Sequence, residues 1–428
     1  MGPFRWINWG VGRFFGLEPG QRSRTYPRAG QWGSACPILG PIPVTEAKLP
    51  KIISVSVAAE RVPLDRVTYF SNRAVTHRDY GLVKIAADNG IEGIGFCYVG
   101  TRGGELLPLA VTKLLAPLLI GRDSCDVEAL WQELYQEVLL QGRAGVVMRA
   151  LSILDTALWD LNARSAKLPL HKYLGASQPD SVAAYASGGY YLEGKTPDDL
   201  AAEMAGHVSR GFKAVKMKIG RLSPGGEEDR VKAVRERIGP DILLMMDANN
   251  AWQDVITALQ TVRRLEKYAP FFVEEPFSPD DIDSHAALAR ASSIPIATGE
   301  IEAGRWRHKE LLDKKAVAIL QSDAAVCGGV TEWRRIAAMA AGYAIPMYPH
   351  WFHDLHAPLV AATPNARMVE CFPDSQVLNF RELLDRQLDF KDGRLILHKT
   401  PGLGFGFDEA KIKRFAIDPA NVWTSIKG

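Results

Sequence analysis

Cysteine is scarce in this chain. There are five in 428 residues, Cys36, Cys97, Cys125, Cys327 and Cys371, an odd number, scattered and without a CxxC pair. That argues against a disulfide frame and a cysteine zinc site, and favours reduced thiols in a cytoplasmic compartment. Long apolar runs are also missing, since none approaches the roughly 18 residues of a membrane-spanning helix. Net charge is nearly zero, +2 from 51 Lys and Arg against 49 Asp and Glu, so neither nucleic acid nor a membrane surface is an expected partner. The composition, 47 % hydrophobic and 23 % charged, is that of a soluble globular protein. The length leaves room for a barrel of about 250 residues and a second domain.

Residues 1–50 stand apart. They carry several Arg and aromatics but little acid, and Gly and Pro interrupt any periodicity. No continuous apolar core of a secretory signal is present. An Arg-rich, acid-poor composition also suits an organelle-targeting segment, but the plainer expectation is a disordered leader.

From Lys51 the pattern changes. IISVSVAAERVPL reads as a strand, and YGLVKIAADNGIEGIGFCYV as a hairpin turning at Asp88-Asn89-Gly90. Helices are predicted over 126–140, with Asp126 as cap, and over 144–166. Strands followed by helices describe an α+β domain. Two polar loops flank the hairpin. One is Arg66–Asp79, with Thr68, Tyr69, Asn72, Arg73 and His77; the other is Gly100–Glu105, with Arg102.

A βα rhythm follows, with eight candidate strands at 182–188, 214–219, 242–247, 271–275, 295–299, 318–323, 344–350 and 367–371. Amphipathic segments such as 197–212 and 254–270 separate most of them. Polar groups at nearly every strand end favour a closed barrel over an open doubly wound sheet. The expected organisation is a leader at 1–50, an α+β cap at 51–180 completed by 391–428, and a barrel at 181–390. The glycines of the tail HKTPGLGFGFDEAKIKRF lack the strand-turn-helix context of a dinucleotide site.

The strand ends carry the chemistry. Asp247, Glu274 and Glu300 would converge from three neighbouring strands, and three carboxylates share a small space only around a compensating cation. All-oxygen ligands suit Mg2+. Of Glu274 and Glu275, alternation lets only one face the mouth. Asn249 can orient a ligand, touch substrate, or cap a helix. Lys216 and Lys218 flank Met217 and so project together into the barrel, where each should lower the other's pKa and poise one as a base. Opposite them Asp323 can hold the imidazole of His350, and Glu370 ends strand eight within reach of a substrate.

In order and spacing, ALSILDTALWDLNARSAKLPLHKYLG, KMK, DANNAW, VEEP, TGE, SDAAVCGGVTEW, PHWFHDLHAP and PGLG resemble the mandelate racemase branch of the enolase superfamily. The likeness covers nearly all of 51–428. It implies a (β/α)7β barrel capped by an α+β domain, and Mg2+ on Asp247, Glu274 and Glu300. It also implies Lys218 as one base with Lys216 beside it on the substrate carboxylate, His350 with Asp323 as the other, and Glu370 at the enediolate oxygen. The leader departs from the family pattern. The step implied is removal of the proton α to a carboxylate. The polar cap loops, with Arg73 and Arg102 as substrate contacts, favour dehydration of a sugar acid over racemisation or epimerisation of a 2-hydroxy acid. A retired barrel kept for binding would have lost a ligand or base, and none is missing. An ordinary metal-dependent aldolase or hydrolase would not need a lysine pair facing a His–Asp pair. Homo-oligomeric assembly is expected.

Overall fold

The computed structural model describes residues 49–71, 73–176, 180–374 and 378–428. The expected leader lies, but for its last two residues, outside them, as does Asn72. Leu49–Gly428 form one unit built on two sheets.

Side-chain alternation organises the larger sheet. Strands β4 (Ser181–Ser187), β5 (Ala214–Lys218), β6 (Leu243–Asp247), β7 (Phe272–Glu274), β8 (Ile296–Thr298) and β9 (Ile319–Leu320) run parallel in that order. Tyr185, Ala214, Met245, Phe272, Ala297, Ile319 and Tyr348 pack together inside. Their alternates Val215, Met217, Leu244, Met246, Val273 and Ile296 pack outward against the helices. Lys216, Lys218, Asp247 and Glu274 continue the inward set. β10 (Val369–Cys371) returns to pair with β4. Between β9 and β10 the seventh position is reduced to bridges from Met347 to Leu320 and Ala366. The ring thus closes, and every intervening helix lies outside it. Several of these helices begin at a side-chain cap, among them those at Thr196, Ser223, Asp254 and Asp281. Thr196 and Asp199 form a capping box for Pro197–Ser209, and Asp254 accepts from Thr257 at the start of Val255–Leu265.

The smaller sheet is antiparallel and begins with β1 (Ile52–Tyr69), β2 (Ala74–Ala87) and β3 (Glu92–Gly100). The turn between β2 and β3 falls at Asp88–Gly90, as expected. The helix Gly145–Ser165 lies flat on β3 because Gly93 and Gly95 present no side chain. A Cβ on Gly95 would sit 2.0 Å from the Ile153 carbonyl oxygen.

Three expectations need correction. The stretch expected as a loop over Arg66–Asp79 is mostly strand, since β1 runs to Tyr69 and β2 starts at Ala74. After an irregularity between Pro63 and Thr68, pairing resumes at Thr68–Val75 and Tyr69–Ala74. The resulting ribbon is pinned over the barrel by reciprocal backbone bonds between Tyr69 and Tyr191 of 3.1 and 3.3 Å. Asp126 stands at the N-cap of Val127–Glu137, but its side chain makes no capping bond. The chain also leaves the barrel later than residue 391. The hairpin of β11 (Asp389–Lys391) and β12 (Arg394–Ile396) adds onto β4. Only then does the tail cross to place β13 (Thr424–Lys427) against β1. Among the described residues no helix is long and apolar enough to cross a membrane.

The packing predicts a contrast. Met217→Leu should cost less than about 1.5 kcal/mol, as a volume-conserving swap in the outer layer. Gly95→Ala should cost about 1–3 kcal/mol or more, because backbone rather than a flexible side chain blocks the new methyl. Thermal denaturation ranks the two, and equal losses would contradict the packing described.

Candidate active site

The inward positions at the strand ends bring one network together. Lys216 donates to both oxygens of Glu274 at 2.8 and 2.7 Å and lies 2.6 Å from Glu370 and 3.6 Å from Asp247. Lys218 donates to Asp247 at 2.6 Å. Across the mouth, His350 Nδ1 lies 3.0 Å from Asp323 and Nε2 lies 3.2 Å from Glu300. Trp351, turned into the left-handed region (φ 62°), donates its backbone N–H to Glu370 at 2.8 Å. Asp247, Glu274, Asp323 and Glu370 are essentially inaccessible, while the His350 side chain retains 16 % exposure.

The charges set the protonation states. Burial alone would lower both lysines. The carboxylates win: Glu274 and Glu370 hold Lys216 well above its ordinary value, and Asp247 does the same for Lys218. The expected mutual lowering of the two lysines is therefore overridden, because each has an acid closer than the other lysine's effect can offset. Burial would raise Glu370 and Asp247. Lys216, His350 and Lys218 instead bring Glu370 down to about 2, and Lys218 with Lys216 brings Asp247 below its usual range. Asp323 is likewise held low against burial by His350 and His356. Glu274 and Glu300 go the other way. Burial and then neighbouring acids raise both, Glu300 by a large margin.

Some of the site escaped the sequence. Glu275 shares the mouth with the other acids instead of facing away. The strand ends at Glu274, and left-handed backbone at Glu275 (φ 43°) breaks the alternation. Its carboxyl is pushed up to about 8 by burial and by Asp247 and Glu274. Asn249 orients: its N–H and side-chain amide reach Asp247 at 2.9 and 3.3 Å. The N-cap of the following helix is Asp254, not Asn249. His353 and His356 lie in the first turn of the helix His353–Ala361. His356, however, also reaches back, accepting from the Ala324 N–H at 3.0 Å beside Asp323; its position four residues from a helix-starting Phe352 gave no sign of that.

The site opens into a cavity of about 310 Å3. Lys218, Asn249, Glu275, Glu300, Asp323 and His350 line it from the barrel, with Arg73 above. Lys216, Asp247, Glu274 and Glu370 lie behind this surface. Arg102 does not line the cavity. Gly100 and Gly103 take positive φ, and the chain between them presents Thr101 to the cavity while Arg102 is exposed. Arg78 and Arg149, which the sequence did not single out, do line it. A larger cavity of about 690 Å3 beside it shares only Tyr190 and contains none of the strand-end groups.

Among the described residues no three His, Cys, Asp or Glu side chains are gathered as a ready-made metal cage. Lysine ammonium groups hold the acids. The donor set nonetheless fits a hard dication. Asp247, Glu274 and Glu300 offer only carboxylate oxygens, Glu300 Oε2 is buried without a hydrogen bond, and the raised Glu274 and Glu300 mark negative charge that the lysines leave uncompensated.

Comparison with known proteins places this geometry. Residues 52–175 match the model of the mandelate racemase / muconate lactonizing enzyme N-terminal domain, and residues 199–411 the enolase C-terminal domain-like model. The chain is 36 % identical over 321 residues to an arabinonate dehydratase of Saccharolobus solfataricus, covering 72 % of this chain and 84 % of that one. It is 35 % identical over 329 residues to the L-talarate/galactarate dehydratase of Salmonella typhimurium, covering 77 % and 80 %. The crystal structure of the latter, liganded with Mg and L-lyxarohydroxamate, superposes with a TM-score of 0.81 at 30 % identity over 89 % of this chain and 95 % of that one.

The uneven charge balance predicts a separation of two acids in metal-free protein. Glu274→Gln removes a partner of buried Lys216 and should cost up to about 3–5 kcal/mol. Glu300→Gln mimics a carboxyl already biased to its neutral form and should cost little. Since the folded value of Glu300 lies above its unfolded one, its contribution is full below about pH 4.3 and is lost as pH rises toward the folded value. Glu300→Gln should flatten that fall. Melting curves of the chelator-treated variants across pH 4–8 test the order, and a reversed order would contradict it.

Proposed function

The chain belongs to the mandelate racemase/muconate lactonizing enzyme family of the enolase superfamily, and from that premise we propose that it is a Mg2+-dependent hydro-lyase converting a sugar acid into a 2-keto-3-deoxy acid. The observation that carries the reading is the placement of two proton-transfer groups, Lys218 and the Asp323-held His350, on the wall of one small cavity floored by carboxylates.

Asp247, Glu274 and Glu300 would hold the ion, which when bound supplies positive charge to the substrate carboxylate and makes its α-proton easier to remove. Lys218 Nζ takes that proton, and the C–H electron pair passes into the enediolate. Its amine must be neutral to do so, and the group that keeps it protonated is Asp247, one of the residues assigned to the ion. Lys216 places a second cation at the carboxylate oxygens. Glu370, ionised and 2.6 Å from Lys216, is assigned the orientation of that ammonium. His350 Nε2 delivers a proton to the departing β-hydroxyl, which leaves as water, and Asp323 on Nδ1 stabilises the imidazolium. The resulting enol tautomerises to the 2-keto acid. The cysteines among the described residues are all unpaired, which supports a reducing, cytoplasmic setting.

A sugar-acid library assayed for semicarbazide-reactive ketone tests the reading. Wild type should give ketone, and Lys218→Ala should lose it together with exchange of the α-proton in D2O. His350→Asn should lower ketone formation by about 10²–10⁴ while Lys218 still supports exchange. Inverted 2-hydroxy acid carrying solvent deuterium, with no ketone from any substrate, would select racemisation instead.

A further inference from the structure

The cavity is polarised in a way that proton transfer alone does not require. Its acids, Glu275, Glu300 and Asp323, all come from barrel strand ends, and its arginines all come from the cap side. Arg73 sits at the tip of the β1–β2 ribbon, Arg78 within β2, and Arg149 on the helix Gly145–Ser165. The Arg78 guanidinium is fully buried over the rings of Trp351, Tyr98 and Phe70, at 4.6, 5.3 and 5.6 Å. That aromatic box fixes its direction. Arg149 is half-buried, and among the described residues it makes no hydrogen bond or ion pair. Asp79, the acid next to Arg78 in β2, is already taken: Arg61 donates to both its oxygens at 2.8 and 2.7 Å, and the Gly104 N–H at 3.2 Å.

We propose that Arg149, with Arg78 and Arg73, forms a subsite for a second carboxylate, so that the substrate is a sugar diacid rather than a monoacid. The inference rests on the dehydratase reading and specifies its substrate class. One carboxylate lies at the barrel floor, where the acids, lysines and ion are, and the other faces the cap. A guanidinium binds a carboxylate through paired, charge-assisted bonds that a terminal hydroxymethyl group cannot offer. A site built around such a group discriminates sharply against the analogue lacking it, by factors that reach about 10⁴–10⁵. A cavity of about 310 Å3 suits one small acid held at both ends.

Matched pairs test this: galactarate against galactonate and glucarate against gluconate, with the Mg2+-loaded enzyme, scored as kcat/KM for 2-keto acid and, in parallel, by calorimetric binding. Diacids should exceed their monoacid partners by about 10² or more. Arg149→Gln should collapse that ratio chiefly through KM, and Arg149→Lys should restore part of it. Ketone from monoacids at equal or higher kcat/KM would overturn the subsite while upholding dehydration. If no acid of either class yields ketone, the dehydratase reading fails. Calorimetry then decides the subsite: tighter diacid binding that Arg149→Gln removes upholds it, and equal binding of both members overturns it.

Discussion

Buried negative charge is the constraint on which this molecule depends. Asp247, Glu274, Glu275, Glu300, Asp323 and Glu370 crowd one end of a barrel against two ammonium groups and two imidazoles. In a medium of low effective dielectric such an excess is costly unless something positive offsets it. The strain is uneven. Lysine and histidine partners hold Asp247, Asp323 and Glu370 low, whereas burial and neighbouring acids raise Glu274, Glu275 and Glu300 despite Lys216 on Glu274 and His350 beside Glu300. That gradient points to where a dication belongs.

The fold delivers this arrangement through strand parity. Each β-strand buries one set of alternate residues within the barrel and the other under the helices, so a polar residue at the end of the inward set has to face the mouth. The parallel register of β5 with β6 pairs Lys218 with Asp247, and that of β6 with β7 pairs Asp247 with Glu274. The cap adds the opposite sign. Its ribbon is fastened at Tyr69–Tyr191, and its helix is seated on glycines, so arginines remote in sequence face the acids across the cavity.

Parity also explains what could be read in advance. KMK, the Asp247 and Glu274 strand ends and the eight apolar runs follow a period of two, and local sequence records that period. Glu275 was misread because the strand ends one residue earlier and the backbone turns left-handed. The lysines were misread because their sequence neighbours are like-charged while their spatial neighbours are acids from other strands. Arg149 and Arg78 were not singled out at all. One lies on a helix whose pattern reads as core, the other in a stretch read as a loop. Their convergence depends on cap-to-barrel docking, which leaves no local periodicity. Arg102 was misplaced for the same reason, since nothing in the sequence sets the course of the chain between Gly100 and Gly103.

Calorimetric titration of Mg2+ into chelator-treated protein tests the central claim most directly. If the excess charge at the strand ends is the site of a dication, one ion should bind per chain. It should stabilise the fold by about 2.7 kcal/mol at a hundredfold excess over its Kd, and Glu274→Gln should lose the binding while remaining folded. Absence of any binding heat or melting shift, together with full turnover in excess chelator, would contradict the account.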